Sequence, residues 1–186
     1  GDYRDVGRNQ SSYPSRYWER DDYESGDYGD WMPIPGSLEA IARLNHAGFA
    51  VVVATNQSGV GRGLFSISEL NAVHVHFQRA LARFGGHVDG IFFCPHAPAD
   101  NCRCRKPRPG LLFDIASRLR IDLSGVPLVG DSLRDLEAAR AAGATPLLVR
   151  TGKGTSTLDH PGLDPAVPVF RDLAAAVDAL LTPDAG

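Results

Sequence analysis

Beyond residue 32 short apolar runs alternate with segments whose apolar residues recur every three or four positions. Phe49-Ala-Val-Val-Val-Ala54, Gly90-Ile-Phe-Phe93, Val126-Pro-Leu-Val129 and Pro146-Leu-Leu-Val149 have the continuous apolar character of strands covered on both faces. Between them the helical period returns. Leu38, Ile41, Ala42 and Leu44 share a face of a segment that opens near Ser37 and stops at Gly48. A second helix is predicted from Ser66, with Glu69 at the spacing of a capping box, to Gly85-Gly86. A third runs from about Gly110 to Arg120, and a fourth from Ser132, with Asp135 three residues on, to Gly143. Asp172 opens a last one over the Ala-rich end. Strands alternating with helices predict βαβ units and an α/β fold with a parallel sheet. No internal repeat is visible.

In such sheets ligands bind in the loops beyond the carboxyl ends of the strands. Each predicted strand leads into polar or unusual residues: Thr55-Asn56-Gln57-Ser58-Gly59, then Cys94-Pro95-His96, then Gly130-Asp131-Ser132-Leu133-Arg134-Asp135, then Arg150-Thr151-Gly152-Lys153. Four such loops at one rim are the first functional signal.

Composition changes the picture at the start of the chain. All five tyrosines and both tryptophans lie within residues 1–31, where Val6 is the sole aliphatic residue. Eight acids against four bases give this stretch a charge of −4, while 15 bases against 14 acids leave the remainder at +1. Without aliphatic residues a segment buries too little surface to offset its ordering entropy. Residues 1–31 are therefore expected to be an extended or disordered arm, and residues 32–182 the folded domain. The chain begins with Gly, and its one methionine is Met32, where the composition changes. A replaced natural start, or a tail ahead of a self-sufficient body, is the expectation.

The whole chain of 186 residues carries −3. That balance argues against a nucleic-acid binder held by phosphate attraction. The longest apolar runs span about six residues, too short to cross a membrane, and no charged start followed by an apolar run marks a secretory signal. Three cysteines, an odd number, make a poor disulfide framework and suit a reducing, cytoplasmic compartment. A monomer is expected.

All three cysteines fall in one cluster. Cys94-x-His96 and Cys102-x-Cys104 place four soft or borderline ligands within eleven residues, a set that suits a closed, tetrahedral structural zinc. The alternative, a core thiol beside a redox-sensitive loop, leaves that clustering without a reason. His74 and His76, two positions apart on a helix, point to different faces and are expected at the surface or rim. His46, His87 and His160 have no evident partners.

The polar turn Thr55–Gly59 offers hydroxyls, amides and backbone N–H groups to a phosphoryl group, although an ordinary polar turn would look the same. Arg105-Lys106-Pro107 follows the cysteine cluster. Its lysine can neutralise phosphoryl oxygens and its arginine can grip a phosphate as a fork; in isolation it reads equally as a solvated basic patch. Asp131 is a stronger signal, because a carboxylate delivered by a buried strand is costly unless it meets a cation. Oxygen ligands beside phosphate point to Mg²⁺. Asp135 stands one step behind that ion or caps the following helix.

Thr55, Lys106 and Gly130-Asp131-x-x-x-Asp135 together resemble the second, third and fourth motifs of the haloacid-dehalogenase-type phosphohydrolases. With Cys94-x-His96, Cys102-x-Cys104-Arg105-Lys106-Pro107-x-Pro109-Gly110 and Gly130-Asp131-Ser132, the likeness narrows to the D-glycero-D-manno-heptose-1,7-bisphosphate 7-phosphatases and the related histidinol-phosphate phosphatases. It covers about residues 31–181. The resemblance implies a three-layer, Rossmann-like parallel sheet with a small zinc loop and no large cap domain. It also implies a cytoplasmic, Mg²⁺-dependent hydrolase of a sugar phosphate, serving the heptose of lipopolysaccharide. In that mechanism one Asp attacks phosphorus, and a second Asp two residues later protonates the leaving oxygen and then activates water. Thr55 and Lys106 would stabilise the transferring phosphoryl group, Arg105 would recognise substrate, Asn56, Gln57 and Ser58 would line the pocket, and Asp131 would hold Mg²⁺.

The family's first motif, an apolar run ending in Asp-x-Asp-Gly, is missing. No Asp-x-Asp occurs in residues 1–31; the nearest echo is Tyr3-Arg4-Asp5-Val6-Gly7, with Tyr at the nucleophile's place and Asp5 at that of the acid and base. The family mechanism is then without an identifiable nucleophile, and a non-catalytic sugar-phosphate-binding module is the competing expectation. That motif also ends the family's central strand. An unfilled centre would leave two rows of backbone groups unpaired, at about 1–3 kcal/mol each if buried. Residues 1–12 read as a poor substitute, so an altered or truncated start is expected.

Overall fold

The computed structural model describes residues 3–5 and 33–182. Strand β2 (Ala50–Asn56) pairs in parallel with β3 (Gly90–Cys94), in a register that runs from Val52 opposite Gly90 to Asn56 opposite Cys94. A second parallel ladder joins β4 (Pro127–Gly130), β5 (Thr145–Val149) and β6 (Val169–Phe170). Between the two ladders lies β1 (Tyr3–Asp5). It pairs in parallel with β2, with Tyr3 opposite Ala50, Arg4 opposite Val51 and Asp5 opposite Val52, and it contacts β4 on its other side.

The place of β1 departs from the sequence reading, which puts these residues in an arm and finds no substitute for the central strand there. Backbone pairing explains the difference. A place between two buried parallel strands is filled through N–H and C=O groups, which every residue here supplies, and a three-residue strand is too short to show a period. The remainder of the expected arm, residues 1–2 and 6–31, lies outside the described residues.

The helices are α1 (Ser37–His46), α2 (Ser58–Gly61), α3 (Ile67–Ala82), α4 (Gly110–Leu119), α5 (Leu133–Ala141), α6 (Gly154–Leu158) and α7 (Leu173–Leu181). Both predicted capping boxes form, Ser66 with Glu69 and Ser132 with Asp135, and the Asp172 carboxylate accepts from Ala175 at the start of α7. Alternation along β2 divides the core. Val51 and Val53 join Leu38, Ile41, Leu44, Phe77, Leu81 and Val177 of α1, α3 and α7. Val52 and Ala54 face the other way, onto Leu111, Leu112, Ile115 and Ala138 of α4 and α5. Helices on both faces of a parallel sheet make the expected three layers. The sequence reading omits β6, α2 and α6, which are only two, four and five residues long.

One histidine is misplaced by that reading. His74 is buried, 8% exposed, with its ring edge-on to Phe93 at a centroid distance of 6.0 Å. It belongs with Leu70, Val73, Phe77 and Leu81 to the buried face of α3, whose period outweighs the polarity of one ring. Among the described residues no helix is long and apolar enough to cross a membrane.

Candidate active site

Beyond β3 the chain turns through a 3₁₀ segment at Pro98–Asp100 and brings the cysteine cluster together. The ligand atoms of Cys94, His96, Cys102 and Cys104 all lie within 4.8 Å of one another. Sulfur–sulfur separations are 3.4 Å for Cys94–Cys102, 3.1 Å for Cys94–Cys104 and 3.5 Å for Cys102–Cys104, and His96 Nδ1 is 3.2 Å from Cys104 Sγ. A tetrahedron with Zn–S bonds of about 2.3 Å has edges of about 3.8 Å, so small outward movements would admit the ion. The donor set, three thiols and one imidazole, fits zinc. Burial pushes the Cys94 and Cys104 thiols up. At Cys102 burial acts in the same sense, but hydrogen bonds from Cys94 and Cys104 outweigh it and bring the thiol down to about 7. The loop is braced from outside by Arg108, which donates to the carbonyls of Asn101 and Cys102 at 2.7 and 2.9 Å.

The same loop is fastened to the tip of β2. Gln57 N donates to Cys94 O at 2.7 Å, and Gly61 N donates to Pro95 O at 2.7 Å. A Cβ on Gly61 would lie 2.6 Å from both Pro95 O and Ala97 N, so only glycine permits this approach. Asn56 then clamps the far side: its Oδ1 accepts from Lys106 N at 3.0 Å, and its Nδ2 donates to Lys106 O at 3.1 Å.

That clamp sends the Lys106 side chain into the interior, where it is 4% exposed. Its ammonium donates to Ala54 O of β2 at 2.9 Å and meets Asp135 Oδ1 at 2.6 Å. Lys106 thereby ties the tip of β2 to the first turn of α5. Asp135 is buried, which alone would raise its pKa, but the Lys106 charge and hydrogen bonds from Lys106 and Ser132 hold its carboxyl below the usual range. It caps α5 as well, accepting from Ser132 N at 3.1 Å and Ser132 Oγ at 2.8 Å.

Thr55 is buried beside this pair and accepts from Gln57 Nε2 at 3.1 Å; Gln57 is itself fully buried. Asp131, the residue beyond β4, is also fully buried. Its Oδ2 accepts the Lys153 N–H at 2.9 Å and its carbonyl accepts from Thr157 Oγ1 at 2.7 Å, so the loop after β5 and helix α6 fix it from the side. A buried carboxylate oxygen is a hard donor of the kind suited to Mg²⁺. Arg105 stands between the cysteine cluster and Lys106. Burial, and then the charge of Arg134, hold its pKa below the ordinary arginine value.

The comparisons with known proteins place these residues in context. A HAD-hydrolase-like family model matches residues 103–176. The D-glycero-β-D-manno-heptose-1,7-bisphosphate 7-phosphatase of Bordetella bronchiseptica is 57% identical over 152 residues, which cover 82% of this chain and 85% of that protein. The chain belongs to the heptose-1,7-bisphosphate 7-phosphatase family. The member from Pseudomonas aeruginosa is 51% identical over 162 residues, covering 85% of this chain and 90% of its own. The crystal structure of the B. bronchiseptica D,D-heptose 1,7-bisphosphate phosphatase complexed with magnesium and phosphate superposes with a TM-score of 0.87 at 49% identity, covering 97% of this chain and 98% of that one.

Within this heptose-bisphosphate phosphatase fold, the rim brings together the loops that carry Thr55, Asn56, Gln57, Lys106, Asp131 and Asp135. Ser58 lies at the start of α2, one residue beyond the buried Gln57. Asp5 is placed on β1 opposite Val52, three residues before Thr55 along β2, or about 10 Å of strand at 3.3 Å per residue. Sequence reasoning misses the Lys106–Asp135 pair, the Asn56 clamp and the part played by Thr157. The capping spacing of Ser132 and Asp135 draws attention to the helix end and hides the second partner of Asp135. For Thr157 the sequence carries no signal.

Proposed function

We propose that this protein is a Mg²⁺-dependent phosphatase site for the 7-phosphate of D-glycero-D-manno-heptose 1,7-bisphosphate. One observation carries the reading: Lys106 is buried across the tips of β2 and β4, with two described acceptors for its three donors. The remaining N–H is available to a phosphoryl oxygen between Thr55 and Asp131. Thr55 Oγ1 and Lys106 Nζ hold that group, Arg105 recognises the substrate, and Asn56, Gln57 and Ser58 shape the pocket. Asp131 holds Mg²⁺, which when bound supplies charge neutralisation at the phosphoryl oxygens. Cys94, His96, Cys102 and Cys104 hold a structural zinc that stiffens the loop delivering Arg105 and Lys106. The names of the relatives support heptose bisphosphate over histidinol phosphate. A cytoplasmic, monomeric enzyme goes with this reading, as thiolate ligands persist in a reducing compartment.

A second reading, a binding module that retains the phosphate pocket without turnover, rests on the absence of Asp-x-Asp from residues 1–31 alone. Phosphate release from heptose 1,7-bisphosphate, with and without Mg²⁺, decides between them. The expected result is Mg²⁺-dependent release by the chain as it stands; Mg²⁺-dependent binding, with release appearing only once its start is replaced by an apolar strand ending in Asp-x-Asp, is the outcome of the binding module. Asp131→Asn should abolish the Mg²⁺ dependence in both forms. Absence of substrate binding in both would overturn the phosphatase reading, whereas phosphate trapped on an Asp of the original chain would exclude the binding module.

A further inference from the structure

We propose that Thr157 is a positioning residue for the Mg²⁺ site, holding Asp131 so that its carboxylate is already oriented for the ion. The inference rests on the phosphatase reading above and adds to it a residue that stands behind the metal ligand.

Asp131 is held at two points by one short stretch of chain. The ladder of β4 with β5 stops at Gly130 opposite Leu148, so the Asp131 carbonyl lies beyond the sheet's own pairing. Thr157 Oγ1 donates to that carbonyl at 2.7 Å, and the Lys153 N–H donates to Oδ2 of the same residue at 2.9 Å. Thr157 N in turn donates to Lys153 O at 2.9 Å, so the two donors are fixed one helical turn apart. Both ends of the longer contact are buried: Asp131 is fully enclosed and Thr157 is 7% exposed.

Packing places the turn. A Cβ on Gly154 would lie 1.7 Å from Val149 O, so only glycine lets α6 come this close to the end of β5. At the other end of α6, Leu158 packs against the cluster of Leu136, Leu148 and Val167, and Leu136 belongs to α5, the helix that starts just after Asp131. A threonine in a helix ordinarily returns its hydroxyl to the carbonyl one turn back. The Thr157 hydroxyl instead reaches a residue 26 positions away. A carboxylate fixed at its backbone and at one oxygen has one orientation to offer a cation, which lowers the ordering cost of binding.

Mn²⁺, which takes the same oxygen ligands as Mg²⁺, is titrated into the full chain and the free ion is read by electron paramagnetic resonance. Asp131→Asn should remove the binding, which identifies the site. Thr157→Val keeps the shape and loses the hydroxyl, and it should weaken Mn²⁺ binding about ten- to a hundredfold, the usual cost of losing a partner behind a metal ligand. Thr157→Ser keeps the hydroxyl and should stay within about threefold of the parent, while zinc content stays at about one per chain throughout. Where Thr157→Val does not fold, Thr157→Ala, which admits water to the carbonyl, takes its place with the same outcome expected. Unchanged Mn²⁺ affinity without the hydroxyl, a Thr157→Ser as weak as Thr157→Val, or loss of zinc along with Mn²⁺ overturns the assignment. A parent chain that binds no Mn²⁺ overturns the Mg²⁺ site of the phosphatase reading itself, a separate failure.

Discussion

Lys106 is the residue on which the candidate site turns, and its energetics follow from burial. An ammonium and a carboxylate taken out of water need each other, so removal of either partner leaves an uncompensated interior charge at about 3–5 kcal/mol. Lys106→Met should therefore lower unfolding free energy by about that amount, measured by denaturant titration, whereas the double change Lys106→Met with Asp135→Leu should recover much of it. The pH dependence has a definite sign. Because the Asp135 pKa is lower in the folded protein than in the unfolded chain, its stabilisation is complete above the unfolded carboxyl value near 4 and is lost as pH falls through the folded value. Asp135→Asn should accordingly flatten the acid limb of a stability-against-pH profile below about pH 4. A limb unchanged by that substitution would mean that another carboxyl governs acid unfolding.

At the scale of the element, the cysteine loop is a set of metal-ligand residues fastened to the turn after β2. Hydrogen bonds from Gln57 and Gly61 to the carbonyls of Cys94 and Pro95 hold it to β2 and α2, and the Asn56 clamp holds its exit. A metal ion here acts on the position of Lys106 through the two residues that follow Cys104. Elemental analysis should return about one zinc per chain, and Cys102→Ser, or chelation, should lower the melting temperature and weaken phosphate binding together. Full thermal stability in a zinc-free preparation would remove the ion from the account. The capping boxes at Ser66 and Ser132 are elements of a simpler kind, specified by residues three positions apart and formed where that spacing puts them.

At the scale of the molecule, the two ladders meet at β1. Its parallel pairing with β2 and its contact with β4 set a short, polar-sequence segment between the two three-stranded sheets. The claim concerns backbone, so the test should remove a backbone donor and little else. Arg4→Pro deletes one N–H from β1, and it should destabilise the fold by about 1–3 kcal/mol, read from chemical denaturation. A substitution without effect would place Tyr3–Asp5 outside the cooperative core.

The sequence by itself determined the alternation of apolar runs and amphipathic helices, both capping boxes, the four-ligand cluster and the polar residues after each strand. These depend on neighbours a few positions apart, and period, cap and ligand spacing are local properties of a chain. Its reading failed where the deciding partner was remote. Whether His74 was surface or core depended on what covered α3, and whether Asp135 only capped a helix or also held a lysine depended on a residue 29 positions away. The strand beside β2 was decided from furthest off: Tyr3-Arg4-Asp5 carried only a faint echo of the family's first motif, and its place between β2 and β4 is made by the packed strands around it. Tertiary structure settled these because burial and charge pairing are properties of a place in the fold, and a residue's place is fixed only when the rest of the chain has closed around it.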